Sequence, residues 1–453
     1  MFKCTELIRE TKAKLISGPR NAFFKGVSLD SRKIKKGEIF IAIKGEKFDG
    51  HDFIPGAIKK GAACIIQQTG HKVSDLSARV VILEVKDTLK ALGEIARFHR
   101  ERFKIPVIAI TGSNGKTTTK EMIARVLSGS YNVLKNTGTQ NNQIGLPLTL
   151  LNLKSEYDIA VLEIGTNHFG EVENLAKICR PNIAVITNIG PAHLKYFGSL
   201  KGVFQEKNSL LKNLEHPSIA VLNADDAYLS KKVAGKQKNL FVLGFGLKNH
   251  TDFFVDNIRH LEEGLSFRVN QKYDFNLHAL GRHNIYNALG AISLARIFGV
   301  SYRQIALRLR NFVFPKSRLN FISLNDIRFI DDTYNSNPLS LKQALDTLAG
   351  LKIKGRKIVV MGDMLELGED EELFHRNVGK EIAKVCDNFI SVGKLSRITG
   401  TCAKDFGLDG QSIFACESSR EAREILFKRI SPKKEDVILV KGSRLMQMEQ
   451  VFK

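Results

Sequence analysis

Eight consecutive residues, Thr111-Gly112-Ser113-Asn114-Gly115-Lys116-Thr117-Thr118, constrain this chain more than any other stretch. They follow a short apolar run at 107–110, whose length and β-branched content read as a buried strand. They precede an amphipathic stretch that carries Met122, Ile123, Val126 and Leu127. Strand, glycine loop and helix in that order make a phosphate cradle: the glycines let backbone N–H groups close around phosphate oxygens, and the helix N-terminus adds its positive end. Lys116 is then placed to neutralise charge on a transferred phosphoryl group, and Thr117 to ligate magnesium. The full Walker spacing asks for Gly at position 110, where Ile110 stands, so the loop is a variant. A glycine turn capping a helix is the alternative reading of the same residues. No Asn-Lys-x-Asp guanine motif occurs, which favours ATP over GTP.

A loop of this kind needs a parallel sheet around it, and the chain is long enough for more than one. At 453 residues, and about 150 residues per domain, three domains are expected. The stretch 1–103 alternates apolar runs at 39–43 and 62–66 with Gly-rich turns, as a small α/β binding module would, and ends in a charged helical segment at 88–103. In 104–315, apolar runs at 159–162, 183–187 and 219–222 recur between amphipathic stretches, the pattern of a P-loop-like parallel-sheet domain with helices on both faces. After Phe314-Pro315 the pattern restarts, with runs at 327–330, 357–361, 388–392 and 436–440, predicting a Rossmann-like doubly wound α/β domain over 316–453.

Charge and cysteine usage exclude several classes. The net charge of +22 invites a nucleic-acid role, but the basic residues are spread along the chain without Arg-Gly repeats or an RNP or zinc-finger pattern. No nucleic-acid partner is expected; clefts for small polyanions are. The first residues are charged throughout and no run of 18 uncharged apolar residues occurs, so neither a signal peptide nor a membrane span is expected. The 6 cysteines lie far apart with no C-x-x-C pair and read as reduced thiols of a cytoplasmic protein.

Two further segments lie just past expected strand ends. Glu163-Ile164-Gly165-Thr166-Asn167 follows the run at 159–162, and Asn188-Ile189-Gly190-Pro191-Ala192-His193-Leu194 follows the run at 183–187. In doubly wound sheets that edge is the ligand crevice, so a hard carboxylate and an imidazole could meet there on a nucleotide-bound magnesium. A salt-bridged carboxylate and a structural histidine remain the alternatives for Glu163 and His193.

The loop, the Glu-Ile-Gly-Thr-Asn segment and the Ile-Gly-Pro-Ala-His-Leu segment resemble, in this order, the Mur ligase family. Gly281-Arg282-His283-Asn284-Ile285-Tyr286-Asn287-Ala288 resembles that family's adenine-contacting helix start. Three stretches are similar to the members that add D-alanyl-D-alanine: Asp331-Asp332-Thr333-Tyr334-Asn335-Ser336-Asn337-Pro338, Gly362-Asp363-Met364-Leu365-Glu366-Leu367-Gly368 and Val440-Lys441-Gly442-Ser443-Arg444. Near the N-terminus, Leu29-Asp30-Ser31-Arg32, Ile43-Lys44-Gly45 and Asp49-Gly50-His51 resemble UDP-binding modules of the family.

The resemblance implies an ATP- and Mg2+-dependent amide ligase whose substrates are a UDP-N-acetylmuramoyl-tripeptide and D-alanyl-D-alanine. A third-residue-adding ligase and a folylpolyglutamate synthetase are the family alternatives, and a monomer is expected. Residue by residue, it implies that Gly112, Ser113, Asn114, Gly115, Lys116, Thr117 and Thr118 bind ATP. His283, Asn284 and Asn287 would lie at the adenine, and Arg318 and Asp332 would reach the phosphates and ribose from the third domain. Thr117 and Glu163 would hold one magnesium and His193 a second. Asn141 and Asn142 would contact the UDP-sugar substrate, and Ser31, Arg32 and Lys44 its nucleotide end. The family also carries a carbamylated lysine, a cation turned into a magnesium-binding anion; by position this is Lys207 in Gln205-Glu206-Lys207-Asn208-Ser209. Here Asn208-Ser209 stands where the family usually has a small residue and Glu, and Lys212 is the other nearby lysine.

Overall fold

The computed structural model describes residues 1–71, 80–235, 238–261 and 264–453. Among them three main sheets form, each with its own apolar core. The first has five strands in the order Lys14–Ser17, Val81–Val85, Cys64–Gln68, Ile39–Ile41 and Val27–Ser28, all parallel except the first pairing. The helix Thr88–Glu101 belongs to two cores: Ala91, Leu92 and Ile95 pack into the first unit, and Ala96 into the second. Its Arg100 is buried and donates to the carbonyls of Cys179, Phe103 and Ile105, pinning the connection between the units.

The central sheet is parallel where the phosphate loop leaves it. The strand Val107–Thr111 lies between Ile159–Glu163 and Ile183–Ile186, and all of their residues are buried. Burial on both faces is why these strands read as unbroken apolar runs rather than alternating ones. Two helices cover one face: Lys116–Leu127, and His283–Ile297, whose residues from Asn284 to Ala295 are all buried except Tyr286. A helix apolar on nearly every side must sit inside, and this one packs against the sheet on one side and the helix Lys116–Leu127 on another.

Beyond the parallel core the sheet gains strands for which the sequence reading made no provision. Phe253–Leu261, Gly264–Val269 and Tyr273–Leu277 continue it as an antiparallel meander. Leu265, Phe267 and Val269 alternate inward against Phe275 and Leu277, the two-residue period of a half-buried strand. Asn270 and Gln271, both at positive φ, turn the chain between the last two strands. The third sheet runs Asn320–Leu324, Ile327–Asp332, Val437–Lys441, Lys357–Gly362, Asn388–Val392 and Ile413–Cys416, parallel except for its first strand. Its strand Ile327–Asp332 ends in two buried aspartates: Asp331 accepts from Ser317 and Thr333, and Asp332 lines the same cavity as the central domain's phosphate loop.

Candidate active site

The phosphate loop is held from behind by the strand end that follows Ile186. The Ser113 N–H donates to the Asn188 carbonyl (3.0 Å) and the Asn114 N–H to Asn188 Oδ1 (2.9 Å), while Thr187 Oγ1 donates to the Asn114 carbonyl (2.5 Å). Ser113 Oγ donates to the Gly190 carbonyl (2.9 Å) and accepts the Gly190 N–H (2.8 Å). Two glycines make this approach sterically feasible. At Gly112 (φ +145°) a Cβ would come 1.9 Å from Thr187 Oγ1, and at Gly115 (φ +81°) 2.4 Å from Asn287 Oδ1. Behind the loop the N–H groups of the first turn of Lys116–Leu127 have no intrahelical partner, the arrangement that receives anions.

A cavity of about 580 Å³ opens in front of the loop, within the size range of ligand pockets. It brings together Ser113 to Thr118, Asn141, Asn142, Glu163, His193, His283, Asn284, Asn287, Arg318 and Asp332. Five sequence-assigned residues are not in its lining: Gly112 packs against Thr187 at the start of the loop, Ser31, Arg32 and Lys44 sit on the first domain, and Lys207 lies inside the helix Leu200–Lys212. Arg32 is exposed and paired with Asp30 (2.9 Å), and Lys44 is exposed beside its bridge partner Asp49.

Lys116 Nζ donates to the carbonyls of Gly112 (2.9 Å) and Ser113 (3.3 Å), curling over its own loop. Burial pulls its pKa below the usual lysine range, opposed by the nearby Glu163 carboxylate. Glu163 is buried; Oε1 accepts from Asn141 Nδ2 (2.8 Å), and Oε2 is buried without a hydrogen-bond partner. An orphaned carboxylate oxygen inside a polar cleft is the donor a magnesium ion requires. His193, at φ +53°, shares Nδ1 with Glu366 Oε2 (2.6 Å), which leaves Nε2 as the free ring nitrogen. A carboxylate behind an imidazole is the usual support of a metal-binding histidine. The same bond holds the Glu366 carboxyl below the ordinary range. Among the described residues no cluster of three or more His, Cys, Asp or Glu side chains forms a metal cage. One carboxylate, one hydroxyl and phosphate oxygens suit magnesium better than such a cage would.

The third domain reaches across the cleft. Arg318 Nη2 donates to Thr117 Oγ1 (3.0 Å) while its guanidinium lies 4.0 Å from the centre of the Tyr334 ring. Asn337 and Asn114 exchange amide hydrogen bonds (2.8 and 3.2 Å), and the Lys195 N–H donates to the Glu366 carbonyl (3.1 Å). Asp332 Oδ2 accepts from the buried Lys441 Nζ (2.5 Å), which also donates to the Asn335 carbonyl (2.9 Å). Burial pushes the Asp332 carboxyl up, and the Lys441 ammonium opposes that rise. Burial, and then Lys441, push His283 down to about 4. Asn287 accepts from Thr119 Oγ1 (3.1 Å) and donates to Asn284 Oδ1 (3.0 Å), so its amide braces the loop as well as lining the cleft. Lys441, Glu366, Asn337 and Asn188 all lay within segments the sequence singled out, yet none was given a role. Each finds its partner on a distant segment that only the fold brings near.

Lys207 is buried, and desolvation followed by the Lys116 ammonium lowers it to about 7. A lysine neutral near physiological pH has the free amine that carbamate formation needs.

Family profiles match most of the chain. The profile described as Mur ligase family, catalytic domain, matches residues 24–100; Mur ligase middle domain matches 110–295; and Mur ligase, glutamate ligase domain, matches 317–444. The chain is 38% identical over 436 residues to the UDP-N-acetylmuramoyl-tripeptide--D-alanyl-D-alanine ligase of Escherichia coli (strain K12), covering 94% of this chain and 92% of that protein. Its structure is similar to a crystal structure of MurF from Acinetobacter baumannii (TM-score 0.88, 32% identity, 99% of this chain and 97% of that one). It is also similar to MurF ligase from Thermotoga maritima in complex with ADP (TM-score 0.82, 29% identity, 94% and 96%).

Proposed function

The chain belongs to the Mur ligase family, and from that premise we propose that it joins D-alanyl-D-alanine to a UDP-N-acetylmuramoyl-tripeptide with conversion of ATP to ADP and phosphate, in the cytoplasm. The similarity to ligases of that name along nearly the whole chain supports the substrates. The observation that carries the chemistry is the single cleft where the phosphate loop, the orphaned Glu163 oxygen and third-domain residues face one another.

The terminal carboxylate of the tripeptide attacks the γ-phosphorus, the bond to the β-phosphate oxygen breaks, and an acyl phosphate forms. The amine of D-alanyl-D-alanine then attacks the acyl carbon, loses a proton, and expels phosphate to leave the amide. Nucleophile and ATP are both anionic, so the first step needs positive charge fixed in advance. Lys116 and the N–H groups of residues 112–118 supply it at the phosphates, and Arg318 adds a guanidinium from the third domain. Mg2+, held by Thr117 and Glu163 with His193 at a second position, offsets phosphate charge when bound. Lys207 contributes a further anionic ligand if carbamylated. Asn287, with His283 and Asn284, lies at the adenine side, and Asp332 at the ribose. Asn141 and Asn142 hold the sugar portion of the substrate, and Ser31, Arg32 and Lys44 its uridine diphosphate.

An acyl phosphate hydrolyses in water, so domain closure has a chemical purpose. The Asn114–Asn337 pair and the His193–Glu366 bond each join the central domain to the third domain at the cleft. The direct test supplies ATP, Mg2+ and D-alanyl-D-alanine with the diaminopimelate or the lysine form of the UDP-tripeptide and reads product mass. A pentapeptide product with at least one form is expected; ligation of a single amino acid but not of the dipeptide would overturn the assignment.

A further inference from the structure

Behind the cleft, one buried amide connects the segment that carries Asn141 to the strand that carries Glu163. Asn136 is 1% exposed and follows the short strand Val133–Lys135. Its Oδ1 accepts the Glu163 N–H (2.9 Å), and its Nδ2 donates to both the Glu163 carbonyl (2.9 Å) and the Gln140 carbonyl (2.8 Å). Its own carbonyl accepts from Lys120 Nζ (2.6 Å), a fully buried ammonium on the phosphate-loop helix that also pairs with Glu121 (2.9 Å). One side chain therefore satisfies both backbone groups of Glu163 and fixes the turn before Asn141.

From that turn the contact returns to the carboxylate itself. Asn141 Nδ2 holds Glu163 Oε1 (2.8 Å), and the Asn141 carbonyl accepts the Gly165 N–H (2.9 Å). A Cβ at Gly165 would come 2.8 Å from the Asn141 amide, so glycine there is what lets the two segments approach. With Oε1 occupied and the peptide locked on both sides, only Oε2 is left without a partner. The carboxylate is oriented before any cation arrives.

We propose that Asn136 is a positioning residue: it locks the Glu163 peptide and the Gln140–Asn141 turn into one unit, so that divalent-cation binding at Glu163 and binding of the sugar substrate at Asn141 depend on the same buried amide. The proposal rests on the reading of Glu163 as a metal ligand and Asn141 as a substrate contact. A group that braces a ligand from behind typically changes metal affinity or activity by about 10–100-fold. Binding at two sites that share one brace is also reciprocally linked.

The test compares the parent protein with Asn136→Ala and Asn136→Asp, the second keeping the acceptor for Glu163 N–H while losing both donors. Mn2+ binding in the presence of ADP is followed by electron paramagnetic resonance, alongside thermal melting and steady-state KM for each substrate. Mn2+ affinity is expected to fall about tenfold and KM for the UDP-tripeptide to rise, with KM for D-alanyl-D-alanine unchanged. If Asn136→Ala does not fold, Asn136→Ser, which retains one acceptor, carries the same expectation. Folded variants with parental Mn2+ affinity and UDP-tripeptide KM would overturn the proposal. A parent that binds no Mn2+ with ADP, or makes no pentapeptide, would instead remove the reading beneath it.

Discussion

The contact between Gly115 and Asn287 makes a sharp quantitative prediction. Gly115 sits at φ +81°, so alanine there costs about 1–2 kcal/mol in backbone strain alone. Its Cβ would also lie 2.4 Å from Asn287 Oδ1, a distance no structure tolerates, so Asn287 must move. Moving it breaks the bonds to Thr119 and Asn284, at about 1 kcal/mol each. Gly115→Ala should therefore destabilise the start of the helix Lys116–Leu127 by roughly 3–4 kcal/mol, and Asn287→Ala by roughly 2 kcal/mol, from the same terms. The double variant already lacks the amide that clashes, so it should be no worse than Gly115→Ala alone. That leaves it about 2 kcal/mol short of additivity, as expected of residues in contact. Hydrogen-exchange mass spectrometry over the helix reads local opening directly; 3 kcal/mol corresponds to exchange roughly a hundredfold faster or more. Additive single effects would refute the claim that Asn287 braces the loop.

Three other perturbations follow from the charged groups in and behind the cleft. Lys207 is pulled down to about 7, so the native state carries the full cost of a buried ammonium below that pH and progressively less between 7 and the unfolded lysine value. Lys207→Met should accordingly raise the melting temperature more at pH 6 than at pH 9 in CO2-free buffer, while lowering ligation; equal shifts at both pH values would contradict the assignment. Asp332→Ala strands the Lys441 ammonium in the interior and should cost about 3–5 kcal/mol; Asp332→Ala with Lys441→Met should recover most of the stability, seen by melting, without recovering phosphate release. Glu366→Gln weakens the support behind His193 and should raise the half-saturating Mg2+ concentration about tenfold. Glu366 is partly exposed, so the melting temperature should barely change.

The features legible in the sequence were those whose physics is local. Val107–Thr111, Ile159–Glu163 and Val437–Lys441 are buried on both faces, so each announces itself as a contiguous apolar run, and the glycine loop announces itself because phosphate binding needs positive φ within a few residues. The strands Phe253–Leu261, Gly264–Val269 and Tyr273–Leu277 escaped because they are buried on one face only: with residues such as Arg268 and Asn276 facing outward between Phe267, Val269, Phe275 and Leu277, they leave no contiguous apolar run. Asn136 escaped for a different reason. A single asparagine carries no pattern, and its function lies in contacts to residues 4 and 27 positions away. Lys441 and Glu366 stood inside segments already singled out, but their partners lie far along the chain: Asp332 is 109 positions away on the neighbouring strand of the same sheet, and His193 is 173 positions away across the domain gap. Arg318 on Thr117 is the same case at 201 positions.

The proposed reaction requires the γ-phosphoryl group to pass to a peptide carboxylate in the cleft before Lys116. Ligation of a UDP-tripeptide bearing ¹⁸O in its terminal carboxylate, with mass analysis of the released phosphate, measures that step directly. Transfer through an acyl phosphate places one carboxylate oxygen in each phosphate released, and phosphate free of label while the pentapeptide accumulates would contradict it.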